Sequence, residues 1–243
     1  MSERYSAFIN AGAVVLLSPD MTEQERQDVL HSTLFAQLVA DKKYPHPDNA
    51  DKWYESYQGV LKDNWLQKVT AWQNFTIAEN SSFTVADWVR SQWEQSVPQD
   101  LSVPAMRALD SVARLSGDSA AIELLRKNVL KVNEGDSLET ISGCKVRLLV
   151  VLAQRGPTLN SVYLEFESAG DIAANPLRQL FSSDNVKSDV VLKRWQADLS
   201  NALYRPVRER IIKKLGDKAA QNILAVSACA REASLPGPGA RYE

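Results

Sequence analysis

"CKVRLLVVLAQRGPTLNSVYLEFES", Cys144 to Ser168, reads as two β-strands folded back on each other at Gly156-Pro157. The first, Lys145 to Ala153, is apolar at almost every position, which places it in the centre of a sheet. The second alternates. Val162, Leu164 and Phe166 are expected to face inward, with Tyr163 and Glu165 turned outward. On that reading Glu165 and Glu167 share a solvated sheet face. A paired-carboxylate site is the sharper alternative there.

C-terminal to this hairpin, "SDVVLKRWQADLS" (Ser188–Ser200) predicts a third strand, with Val191, Trp195, Ala197 and Leu199 on its inward face. Asn201 is then expected to cap a helix carrying Leu203, Val207, Ile211 and Leu215 at i+4 spacing. That stripe should dock on the sheet. Gly216 marks an end or kink, after which a helical pattern resumes to about Arg231. Residues 234–243 read as a flexible tail.

N-terminal to it, "FINAGAVVLL" (Phe8–Leu17) reads as one buried strand. "TEQE" at Thr22–Glu25 has capping-box form and opens a helix to about Lys43, with Val29, Leu30, Leu34, Phe35, Leu38 and Val39 at helical spacing. A second helix starts near Asp48, with Trp53, Tyr57, Val60 and Leu61 on one face. The period then changes to two. Trp65, Val69, Ala71, Phe75 and Ile77 fall on one side of a strand, and Trp72 falls on the other beside Thr70 and Asn74. Thr84, with Asp87 three residues on, caps a short helix that Pro98 stops. Helices near Ser102–Leu115 and Asp118–Val132 follow. Together these predict one α+β domain over 1–233: an antiparallel sheet of strands from both halves of the chain, packed with about six helices.

Composition narrows function. The chain has 243 residues, 44% of them hydrophobic and 24% charged, with a formal net charge of -2. That charge disfavours nucleic acid as a partner. No run approaches the length of a membrane-spanning helix. "AGAVVLL" (Ala11–Leu17) lacks the flanks of a signal peptide, so the expected location is cytoplasmic, or exported without a cleaved signal. With two cysteines, Cys144 and Cys229, two free thiols are expected rather than a bridge. His31, in a helix, and His46, between prolines, are the only histidines, which leaves little for a catalytic triad. No phosphate-loop, dinucleotide or metal-ligand spacing is present, so no cofactor or metal is expected. Asn74 and Asn80 fit the glycosylation pattern, which matters only in a secreted chain.

Charge is uneven along the chain. Lys187–Lys218 carries nine Lys/Arg against four Asp/Glu, whereas Asp20–Asp28 carries four acids against Arg26. Arg205, Arg208 and Lys213, together with the outward Trp72, are the candidate surface for an anionic membrane, a protein partner or a second copy of the chain. A solvated polar face is the plain reading of the same residues.

"DVLHSTLFAQLVADKKY", "KWYESYQGVLKDNW" and "LYRPVRERIIKKLGDKA" resemble, in order and spacing, a family of uncharacterised proteins scattered through bacteria and filamentous fungi. The resemblance implies one shared fold over most of the chain and supplies no catalytic residues. The function expected is binding or self-association without catalysis, of the kind a secreted or injected toxin or virulence factor exerts at a membrane or partner surface. The alternative is a small hydrolase using carboxylates or a lone cysteine.

Overall fold

A computed structural model describes residues 4–131 and 144–226. Cys229 and the tail 234–243 lie outside the described residues. The chain begins with β1 (Ser6–Asn10), β2 (Ala13–Leu17), α1 (Glu23–Lys43), α2 (Ala50–Lys62) and β3 (Trp65–Phe75). Then come β4 (Ser82–Phe83), α3 (Val85–Glu94), α4 (Gln99–Ala113), α5 (Ala120–Val129) and β5 (Leu130–Lys131). The second half contains β6 (Cys144–Gln154), β7 (Thr158–Ser168), β8 (Phe181–Ser182) and β9 (Val190–Leu199). It closes with α6 (Asn201–Tyr204), α7 (Arg208–Leu215), α8 (Lys218–Asn222) and β10 (Ile223–Val226).

The fold is α+β. The main sheet runs β10-β1-β2-β6-β7-β9-β3, with β5 beside β6, and β4–β8 form a small second sheet. All its pairs are antiparallel except β2–β6, which is parallel. Helices cover both faces. On one, Trp88, Trp93, Leu109 and Ile122 from α3, α4 and α5 pack on Leu148, Val150, Val162, Leu164 and Phe166. On the other, Leu34 of α1, Trp53 and Tyr57 of α2 and Ile211 of α7 join a core with Val15, Leu149, Val151, Tyr163 and Trp195. Cover on both faces explains why β6 is an unbroken apolar run. It also overturns the expected outward face of β7, where Tyr163 is fully buried and Glu165 is only 9% exposed.

Local chemistry fixes the starts of α1, α3 and α5, the last through the Ser119 side chain accepting from Ile122 N–H. Thr22 and Thr84 each form a complete capping box, with Glu25 and Asp87. Phe8–Leu17 is a hairpin rather than one strand, with Asn10 facing Ala13 and Ala11 at a positive φ of 51° in the turn. Two strands buried on both faces give one apolar run, so the turn is hidden in composition.

Two other expectations are corrected. β3 carries a bulge at Lys68, between Gln67 and Val69. Trp65 therefore points to the α1–α2 side, opposite Leu199, whereas Val69, Ala71 and Phe75 point to the α3 side. The C-terminal helix is broken. Pro206 lacks the N–H that would bond Ala202, so α6 stops after one turn and α7 starts afresh. Gly216, at φ 47°, ends α7. The segment after α8 is the strand β10 on β1, not a resumed helix. Among the described residues, no helix is long and apolar enough to cross a membrane.

Candidate functional site

A concavity lies beside the break at Pro206. α6 and α7 lie against α1 and the end of α2 without closing on them, leaving a groove of about 380 Å³. Phe35, Val60, Leu61 and Trp65 form one wall, and Leu203, Val207 and Ile211 the other. The Trp65 indole N–H donates to Ser32 Oγ at 3.3 Å, which fixes the ring in the floor. Leu203 was expected to dock on the sheet. It stands at the groove instead, 47% exposed, because the helix that would have carried it inward stops at Tyr204. Ile211 and Leu215 are buried against the α1 layer rather than on the sheet itself.

The rim is basic. Arg210 and Lys214 line the groove, opposed by Asp63 alone among acids. Lys214 Nζ lies 5.8 Å from the centre of the Phe35 ring, so its charge sits over an aromatic wall. Arg205 and Lys213 are exposed on the same segment.

Arg208 plays a different part from its neighbours. Its Nε and Nη2 donate to the two carboxylate oxygens of Asp28 at 2.8 and 2.7 Å. Its guanidinium lies 5.6 Å from the Tyr204 ring centre. The hydrogen-bonded pair with Asp28 holds its pKa above the ordinary arginine value. Arg208 is therefore a fork that clamps α7 to α1. Trp72 is 68% exposed, with its indole N–H donating to Asn74 at 3.0 Å. It stands seven residues along β3 from Trp65, roughly 23 Å at strand rise, and so outside the groove.

The remaining sequence candidates do not assemble into a catalytic set. His31 is half-buried on α1, and burial lowers its pKa. His46 is exposed before the turn that precedes α2. Cys144 opens β6 opposite Ser168, its thiol pushed up by burial. Glu165 and Glu167 share a strand face, but only Glu167 is exposed.

Sequence reasoning passed over a buried polar network beneath α2. Arg147, 5% exposed, lies 3.9 Å from the Trp53 ring centre and donates to Asp41 at 2.7 Å. Asp41 also accepts the Trp53 indole N–H at 2.8 Å. Tyr163 donates to Glu165 at 3.0 Å, with Lys145 3.7 Å away. Lys193 pairs with Asp51 and sits over the Tyr54 and Tyr163 rings. Burial raises the Glu165 pKa, against the pull of the Tyr163 hydroxyl and Lys145. The void beside Arg147 and Asp41 is about 10 Å³, room for no more than a water. The network holds α2 to the sheet and offers no substrate space. The available signal was register: a hairpin centred on Gly156 sets Arg147 opposite Glu165.

No family model and no curated protein matches the chain. Among solved structures, the activated Cyt2Ba monomer from Bacillus thuringiensis subsp. israelensis is similar at a TM-score of 0.45 and 9% identity, over 79% of this chain and 98% of that one. The Evf virulence factor is similar at a TM-score of 0.37 and 11% identity, over 93% of this chain and 88% of that one. Each is a partial likeness of chain path, and no property of either protein is carried over.

Proposed function

We propose that the protein works by binding rather than catalysis, and that it binds anionic amphiphiles presented at a membrane surface. The observation that carries this reading is the groove between α1, α2 and α6–α7. Its walls are apolar, Leu203 is exposed beside it, and Arg210 and Lys214 stand on its rim. Hydrocarbon entering such a groove leaves water, at about 0.8 kcal/mol per buried CH₂. Basic side chains at an anionic surface contribute roughly 1 kcal/mol each. The chain's net charge of -2 means that attraction must be local to this face and sensitive to salt.

The test is co-sedimentation with vesicles of phosphatidylcholine alone and with added phosphatidylglycerol. Binding is expected only with the anionic lipid, falling at high salt. Arg210→Glu with Lys214→Glu should weaken it at least tenfold without changing the melting temperature. Equal binding to both vesicle types, or none, would overturn the reading. The finer version, a secreted or injected toxin or virulence factor acting on another cell, adds dye release from loaded anionic vesicles, which simple surface binding would not give.

A further inference from the structure

The outer edge of β3 is long and exposed. β3 is terminal in the sheet order and pairs only with β9 among the described residues. Beyond the bulge at Lys68, Val69–Phe75 forms an uninterrupted ladder of seven residues. That run, VTAWQNF, has no charge, no proline and no glycine. Edge strands are normally blunted by charge, proline, shortness or cover. Here the one charge on β3 itself, Lys68, sits at the bulge and is paired with Asp198, and the charges across from the run, Lys193 and Arg194, belong to β9 on the inner side. Three of the six exposed large hydrophobic side chains among the described residues are on this strand: Leu66, Val69 and Trp72.

We propose that two copies of the chain join antiparallel along β3, across a twofold axis at Trp72. In that register Val69 faces Phe75 of the second copy, Thr70 faces Asn74, Ala71 faces Gln73, and Trp72 faces Trp72. The pairs fall on matching faces, because Thr70, Trp72 and Asn74 share one side of β3 and Val69, Ala71, Gln73 and Phe75 the other. Aromatic with aromatic, hydroxyl with amide and β-branched with aromatic are favourable cross-strand partners. The segment is neutral, so two copies meet without repulsion, and a twofold seam uses the same patch on both. Unpaired N–H and C=O groups of both edges are satisfied together. A basic or acidic peptide would find no counter-charge in this run. A seven-residue seam is smaller than a standard interface, so the dimer should form with rising concentration rather than permanently. The inference is independent of the membrane reading and is measured without lipid.

The experiment is sedimentation velocity of the full chain over a hundredfold range of concentration, with Trp72→Lys and Thr70→Pro alongside. The wild type should pass from monomer to dimer, and each variant should raise the dissociation constant at least tenfold while keeping its circular dichroism spectrum. Cysteine cross-linking fixes the register. Trp72→Cys should give a disulfide dimer under mild oxidant, because residues opposed across an antiparallel pair have Cα atoms about 5 Å apart. Thr70→Cys should give no more than the wild-type background, because its copies stand about 13 Å apart along the seam. A chain that stays monomeric throughout, or a dimer that Trp72→Lys leaves unchanged, would overturn the proposal. So would equal cross-linking at residues 70 and 72.

Discussion

Glu165 lies in the middle of β7 with the Tyr163 hydroxyl on one oxygen and Lys145 near the other. Burial disfavours its charged form and raises its pKa, so the folded chain holds this proton more tightly than the unfolded chain does. Its contribution to stability is complete below the ordinary glutamate value and is lost as pH rises through the raised, folded value. Glu165→Gln keeps an oxygen for Tyr163 and removes the titration. Relative to wild type, its melting temperature should therefore climb as pH rises from about 4.3 towards neutral; a constant difference across that range would show that the proton is not held by the fold. Alternation alone sent Glu165 to solvent, because it describes a sheet with one wet face. The unbroken apolar run of β6, the strand paired with β7, was the sign in the sequence that both faces are covered. Trp53 and Tyr57 were legible as core because helical spacing puts them on one face of α2.

Elements with strong local chemistry could be read directly. Capping boxes at Thr22 and Thr84 fix the starts of α1 and α3. The helix after Asn201 was misread because i+4 spacing of Leu203, Val207, Ile211 and Leu215 outweighed Pro206, which cannot sit inside a helix without losing a bond. The same break sets Arg208 at the start of α7, apart from Arg205. Asp28 is buried, and without Arg208 it keeps only the Gln24 amide, at 3.0 Å. Arg208→Ala should thus cost about 3 kcal/mol and lower the melting temperature by roughly 6–12 °C. Lys213→Ala, at an exposed position, should stay within about 0.5 kcal/mol. Chemical denaturation of the two variants distinguishes a clamp from a solvated face, since a solvated Arg208 would behave like Lys213.

At the scale of the molecule, the α+β class was legible, but the double cover of the sheet and the addition of β10 to its β1 edge were not. Both depend on long-range pairing: β2 lies parallel to β6, and β10 returns to β1 from the far end of the chain. A chain ending at Asn222, compared with one ending at Val226, should lose about 3 kcal/mol, since Ile223, Leu224 and Val226 each leave a half-buried position. It should also aggregate as concentration rises, through the freed edge of β1. Differential scanning calorimetry with light scattering reports both effects, and equal melting of the two chains would show that β10 adds nothing. The pairing has a mechanical side as well. Ala7 faces Val226 and Asn10 faces Ile223, so the two ends of the described fold leave the sheet side by side. A force pulling those ends apart loads the β1–β10 bonds in sequence rather than in parallel. The seam should peel like a zipper at low force, so a machine threading the chain through a narrow pore from the C-terminal side would meet its weakest resistance first, since β10 has β1 as its one partner among the described strands.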